Sequence, residues 1–489
     1  MKARQLEKLG IPTALAKPAK WAASAARQDG QSLEEVKGKL KLLVDDPEAL
    51  LEDTYFRELA AEMAKHRRID AARRQFADQP PRAEPAPYRQ WGDDLDANAI
   101  KQMDNACRLP VAAQAALMPD AHLGYGLPIG GVLAARNAVI PYAVGVDIAC
   151  RVKLSVFDLP PAQLDSHRDR LINALEHETR FGMGASFIDR GGHGTPREHD
   201  VMDADWSVSP ITQRFKDKAY GQLGTSGSGN HFVEFGVLTV DEEHAAQLGL
   251  PTSAGRKEYL ALLSHSGSRG AGAQVCEHYS RLAMLMHPEL DKQMQHLAWL
   301  EMDSHEGQEY WSAMNLMGEY ASANHACIHD AISRHLGAEV LAGVENHHNF
   351  AWKETHIDPD TGASAEMIVH RKGATPAGEG VLGIIPGSMA TPGYVVVGKG
   401  GAGSLDSASH GAGRVMSRKQ AKNSFRWNHV KPTLEKAGVT LLSAGLDEVP
   451  GVYKDIEQVM ADQDDLVAKL ARFDPKLVKM APAGERPED

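Results

Sequence analysis

Five segments of the chain set metal-binding or nucleophilic side chains among glycines, whose bare backbone can approach a ligand closely. They are MPDAHLGYGLPIGG (Met118–Gly131), GVDIACRVKLS (Gly145–Ser155), GTSGSGNHFVEF (Gly224–Phe235), SHSGSRG (Ser264–Gly270) and ENHHNF (Glu345–Phe350), and a sixth, SHGAGRVMSR (Ser409–Arg418), holds a further histidine between glycines. Asp147 and Cys150 pair a carboxylate with a thiol. That donor set, with histidines supplied from elsewhere, suits a borderline divalent ion such as Mn, Zn, Co or Ni. Calcium or magnesium alone would not recruit sulfur. Read by itself, a lone cysteine after the apolar strand expected over Ala143, Val144, Val146 and Ile148 is more often a buried, inert thiol. His231, His265 and His348 stand in polar or glycine-rich surroundings rather than on apolar faces. With Asp147 and Cys150 they supply enough ligands for two neighbouring metals, an arrangement suited to phosphoryl transfer.

His410 differs in character. It lies in His-Gly-Ala-Gly-Arg, where Gly411 and Gly413 free the backbone to reach a phosphate and Arg414 can neutralise charge. A neutral imidazole nitrogen can attack phosphorus and split one displacement into two, although a structural loop histidine fits the same motif. The run Gly398–Gly403 matches GxGxxG after a strand-like Tyr394–Val397, but its sequel, Ser404–Ser409, is too polar for the apolar helix of a dinucleotide site.

The elements around these segments read as α+β. The chain has 489 residues, a net charge of −12, 43% hydrophobic and 24% charged residues, which is ordinary globular composition. The acidic balance argues against non-specific nucleic-acid binding as the main business, while leaving room for a local basic groove. Four cysteines without a CxxC pair make disulfides improbable. No run approaches the roughly 20 apolar residues that span a bilayer, and Met1–Trp21 lacks the apolar core of a signal peptide, so a cytoplasmic protein is expected.

Ser32 with Glu35 forms a capping box ahead of Leu33, Val36, Leu40 and Leu43 at helical spacing, and Asp46-Pro47 is expected to restart a helix carrying Leu50, Leu51, Phe56 and Leu59. Residues 1–78 therefore read as a helical appendage, 79–87 (QPPRAEPAP from Gln79) as a stiff linker and 88–489 as the catalytic domain. In that domain short β-rich runs such as Val395–Val397 and Leu382–Ile385 alternate with polar loops and a few helices, one around Glu301–Leu336. Ile456, Val459, Leu466 and Leu470 mark an amphipathic helix near the end. The mixture predicts mixed sheets, peripheral helices and a central site built from loops.

Together the six motifs, in their order, resemble the RtcB family of RNA ligases over roughly Tyr88–Met480. The resemblance implies an enzyme that joins an RNA 3′-phosphate or 2′,3′-cyclic phosphate end to a 5′-hydroxyl end, using GTP and two Mn(II) ions, in an RtcB-like fold. It implies Asp147, Cys150, His231, His265 and His348 as metal ligands, with Cys150 bridging. His410 would be the guanylylated nucleophile. Asn230, Phe232 and Glu234 would meet the nucleotide, with Ser388, Gly411, Gly413, Tyr453 and Lys479 as further contacts. RNA is the implied partner, an accessory activating protein is admitted, and no membrane is.

Two features depart from the family pattern. Arg151 follows the cysteine where glycine is usual, and would lower the thiol pKa, add a phosphate contact or narrow the channel. The chain also runs on from Ala481 to Asp489, a tail able to keep Lys479 out of the pocket. A metal-dependent RNA-end phosphodiesterase, or a specialised paralogue with an altered substrate, is the competing expectation.

Overall fold

The computed structural model describes residues 2–77, 79–189, 191–251 and 258–486. Asp78, the last residue of the expected appendage, and the end of the tail at 487–489 lie outside them. Two compact units are present: Met1–Gln79 with Leu285–Glu289, and the remainder.

The smaller unit is helical. Its helix Leu33–Asp45 starts on the capping box read from the sequence, Ser32 Oγ accepting from the Glu35 amide at 3.1 Å and Glu35 accepting from the Ser32 amide at 2.6 Å. Asp46-Pro47, however, opens only a single 3-10 turn, Pro47–Leu50. The chain breaks there because Asp53 Oδ1 accepts the Tyr55 and Phe56 amides at 2.9 and 3.0 Å, and the next helix begins at Arg57. Leu40, Leu43, Phe56 and Leu59 meet in the core of this unit.

The larger unit is α+β, with two main sheets of mixed sense. A five-stranded sheet runs in the order Tyr88–Gln90, Ala112–His122, Ile129–Ala135, Ser364–Lys372, Asn349–Ile357. An eight-stranded sheet runs Leu382–Ile385, Gly393–Gly398, Val467–Met480, Phe232–Val240, Glu258–Ser266, Arg151–Phe157, Val340–His347, with Thr440–Ser443 beside Val467–Met480. Pairing is antiparallel except at Tyr88–Gln90 and Thr440–Ser443, each parallel to its neighbour. The two ends of the larger sheet come together through one side chain. Asn346 accepts the Ile384 amide at 2.8 Å and donates to the Ile384 carbonyl at 3.4 Å, so the sheet curls towards a barrel.

Two local expectations change. The apolar run before Cys150 is not a strand but a short helix, Pro141–Val144, ended by Gly145 at φ 108°. The expected terminal helix stops at Ala461, and Leu466 and Leu470 belong to the approach and body of the 14-residue strand Val467–Met480. Spacing of four residues fits either state, and pairing on both edges with Gly393–Gly398 and Phe232–Val240 selects the strand. The Gly398–Gly403 run is followed by one 3-10 turn, Ala402–Ser404, as its polar sequel predicts. The long helix His305–Leu336 does form, capped by Ser304, which accepts the Gly307 amide at 3.0 Å. No helix among the described residues is long and apolar enough to cross a membrane.

Candidate functional site

A turn, two strand ends and a strand crossing bring the metal-type donors together. Gly145–Cys150 forms a tight turn in which Ala149 adopts φ 56°, a left-handed conformation costly for a residue with a Cβ. Asn349 clamps this turn: its carbonyl accepts the Ala149 amide at 2.7 Å and its side chain donates to the Asp147 carbonyl at 3.3 Å. Gly267 leaves room for the carboxylate, since a Cβ there would lie 2.2 Å from both Asp147 oxygens. His231 stands just before the strand Phe232–Val240, and His265 lies opposite Phe232 in the adjoining strand.

Cys150 Sγ is 3.1 Å from His265 Nε2 and 3.4 Å from His231 Nε2. His265 Nε2 is 3.2 Å from His348 Nε2, and His231 Nε2 is 3.1 Å from Asp147 Oδ2. All five side chains are buried. The tautomers follow from the other ring nitrogens: Nδ1 of His231 donates to the Ser226 carbonyl at 2.8 Å and Nδ1 of His265 to the Asn230 carbonyl at 3.3 Å. A carbonyl can only accept, so each Nε2 carries a lone pair towards the cluster. Burial holds the imidazoles of His265 and His348 well below the usual range, hence neutral.

The arrangement fits a metal. Lone pairs of nitrogen, sulfur and oxygen converge with too few protons between them, and Asp147 Oδ2 and His348 Nδ1 are buried without a hydrogen-bond partner among the described residues. Among the described residues, Cys150, His231 and His265 have ligand atoms within 4.8 Å of one another.

His410 sits beside this cluster, its ring 4.7 Å from that of His348. Its Nδ1 is 2.7 Å from Oδ2 of Asp120, a fully buried carboxylate that also accepts the His410 amide at 3.2 Å. In the neutral ring the carboxylate places the proton on Nδ1 and the lone pair on Nε2, the tautomer a nucleophile requires. Gly413 serves the same contact. It has φ +73°, and a Cβ there would come within 2.2 Å of the Asp120 carbonyl.

A cavity of about 630 Å³ opens over these groups. It is lined by Asp147, Cys150, Asn230, His231, Phe232, Glu234, His265, His348, Ser388, His410, Gly411, Gly413 and Tyr453. That volume accommodates a nucleotide. Glu234 is buried at its wall, and burial pushes its carboxyl well above the usual carboxylate range. Ser388 Oγ is 2.8 Å from Thr391 Oγ1, and the Tyr453 hydroxyl donates to Glu448, which also pairs with Arg414 and Arg418.

Lys479 is the exception. Side chains alternate along a strand, so Val478 and Met480 face the cavity while Lys479 points the other way. Its amino group lies 2.8 Å from Glu176 and donates to the Leu175 carbonyl at 3.0 Å. Arg151 is also turned away, for the same reason: next to Cys150, at the start of a strand, it pairs with Glu345 at 2.5 Å and donates to the Gly318 carbonyl at 3.1 Å. The expected phosphate contact and channel narrowing by Arg151 do not occur, because its guanidinium is already held on the far face. Sequence reasoning missed Asp120 and Lys372. The first lies inside the Met118–Gly131 motif. The second lines the cavity with a buried amine that burial holds down at about 8.

Comparison with known proteins now decides the family. A family model described as tRNA-splicing ligase RtcB matches residues 102–480. The chain belongs to the RtcB family. An Escherichia coli protein named RNA-splicing ligase RtcB1 is 32% identical over 411 residues, covering 78% of this chain and 95% of its own length. A Nanoarchaeum equitans protein named tRNA-splicing ligase RtcB is 33% identical over 442 residues, covering 77% and 90%. A third, from Archaeoglobus fulgidus and also named tRNA-splicing ligase RtcB, is 31% identical over 453 residues, covering 77% and 90%. Family membership and the Cys-His cluster together support an enzyme of RtcB-type ligase chemistry acting on RNA with a bound metal.

Proposed function

We propose that this RtcB-family chain is a GTP- and manganese-dependent RNA ligase that joins 3′-phosphate or 2′,3′-cyclic phosphate ends to 5′-hydroxyl ends through a guanylylated His410. The observation that carries the reading is the Asp120–His410 pair, which turns Nε2 of the neutral imidazole to the wall of a nucleotide-sized cavity beside the metal-type cluster.

The reaction has three displacements. His410 Nε2 attacks the α-phosphorus of GTP, an N–P bond forms and pyrophosphate leaves. Asp120 steadies the imidazole as it gains positive charge. An RNA 3′-phosphate oxygen then takes the GMP from the histidine, and the 5′-hydroxyl oxygen of the second strand attacks that activated phosphorus and expels GMP. A cyclic phosphate end is first opened by water to the 3′-phosphate. Asp147, Cys150, His231, His265 and His348 would hold two manganese ions, which when bound neutralise phosphate charge. Asn230, Gly411 and Gly413 contact the nucleotide phosphates in this reading, and Phe232, Glu234, Ser388 and Tyr453 contact the guanosine. Lys479 is left out, because its amino group is engaged with Glu176. Catalysis is assigned to residues 88–489, with 79–87 as linker and 1–78 as an appendage outside the chemistry.

The test is incubation with α-labelled GTP and manganese, followed by denaturing electrophoresis. Wild type should keep an acid-labile, alkali-stable label, and His410→Ala should keep none while retaining its metal. Label on the mutant would remove His410 as nucleophile. An unlabelled wild type that still holds metal and hydrolyses cyclic phosphate ends would favour an RNA-end phosphodiesterase.

A further inference from the structure

Two large apolar side chains stand exposed at the mouth of the cavity. Leu123 is 54% and Tyr125 64% exposed, and both line the opening above the metal-type cluster. Exposure of this kind usually goes with a mobile loop, but this loop is held at Gly124, Tyr125 and Gly126. The side-chain amide of Gln102 donates to the Gly124 carbonyl at 2.7 Å and accepts the Gly124 amide at 3.0 Å. The buried amine of Lys372 donates to the Tyr125 carbonyl at 2.5 Å and to the Tyr142 carbonyl at 3.0 Å. Gly126, at φ +73°, packs so closely on the His296 carbonyl that a Cβ would come within 2.8 Å of it. The His296 ring supports the Tyr125 ring edge-on, centroids 6.1 Å apart at 76°. A rigid backbone thus presents an aromatic ring to solvent, with its order already established before any ligand arrives.

We propose that Tyr125 is a stacking platform for a nucleobase of single-stranded RNA at the reacting end. This rests on the ligase reading above and extends it to a residue outside the nucleotide-handling set. The occupant follows from continuity with the cavity. GTP can be enclosed within it, whereas a polymer whose terminal phosphate reaches His410 must leave across the rim. Every base has a π-face, so a stacked ring holds an RNA end without reading its sequence.

The experiment uses the full-length chain with manganese and a short RNA ending in a 3′-phosphate, its last base replaced by the fluorescent base 2-aminopurine. Stacking quenches that fluorophore. Wild type and Tyr125→Phe should quench it with similar affinity, while Tyr125→Ala should quench little and bind about tenfold more weakly. Saturating GTP should leave the wild-type quenching in place. Equal quenching by Tyr125→Ala would overturn the proposal, as would a wild type that fails to bind the RNA. Competitive loss of quenching on adding GTP would also overturn it, assigning the ring to guanine instead. Covalent GMP uptake is read separately on the same wild-type preparation: no label alongside intact quenching would sink the ligase reading and leave the platform standing.

Discussion

At the scale of single residues, the site depends on where protons sit. His410 can act only if its Nδ1 keeps the proton, and Asp120 is the acceptor that decides this. Asp120→Asn removes the negative charge that holds the proton on Nδ1, and wherever its amide N–H rather than its carbonyl faces the ring the proton moves to Nε2 and the lone pair is lost. GMP uptake in this variant should fall roughly 10³-fold or more, by analogy with the wrong-tautomer effect in hydrolytic triads. A loss below tenfold at unchanged metal content would show that Asp120 is structural only. Cys150 sits between two Nε2 atoms, so Cys150→Ser exchanges a soft donor for a hard, weakly acidic one. Elemental analysis should find less than the wild-type manganese, and unchanged stoichiometry would take Cys150 out of the metal shell.

At the scale of elements, strand alternation explains both what was legible in the sequence and what was not. Asp147, Cys150, His231, His265, His348 and His410 could be picked out because each lies in a motif whose glycines and polar neighbours are local signals, and all of them line one cavity. Asp120 gave no comparable signal for its role, since its partner is 290 residues away in sequence. Lys479 came from the family resemblance and Arg151 from its place beside Cys150, yet each sits on a strand whose two-residue period turns it to the opposite face. Reading Leu466 and Leu470 as helical hid that period. The element scale also carries a pH prediction through His370, in the strand Ser364–Lys372. Its Nε2 accepts the Ile140 amide at 2.9 Å and its Nδ1 donates to the Leu133 carbonyl at 3.1 Å, so a second proton would break the first bond. Burial holds this imidazole down at about 4. The unfolded chain therefore binds a proton that the folded chain does not as pH falls from about 6.5 towards 4. Stability is full above the unfolded value and is lost through that window, on the order of 3 kcal/mol for His370 by about pH 4. The urea midpoint should fall steadily from about pH 7 to about pH 5, and a flat profile would contradict the neutral, buried assignment.

At the scale of the whole molecule, the chain forms two compact units. The α+β unit carries the candidate site, and its cavity-lining residues run from Asp96 to Met480 with none among the described residues of Met1–Gln79 or Leu285–Glu289. The helical unit has its own core of Leu6, Leu40, Leu43, Phe56 and Leu59, and none of its described residues joins the cluster. From Pro80 the chain is already tied to the larger unit: Arg82 pairs with Asp360 at 2.8 Å and donates to the Ala112 carbonyl at 3.0 Å, and the Ala86 amide bonds the Cys107 carbonyl at 2.7 Å. A chain beginning at Pro80 should therefore keep its manganese content and its covalent GMP uptake from labelled GTP, within about twofold of the full-length rate, because no group that holds charge or proton at the site has been removed. Its melting temperature should change little if the two cores unfold independently. Loss of label from a truncated chain that stays folded and metal-loaded would mean that residues 1–79 act on the site itself, and would replace the separation argued here with a catalytic role for the appendage.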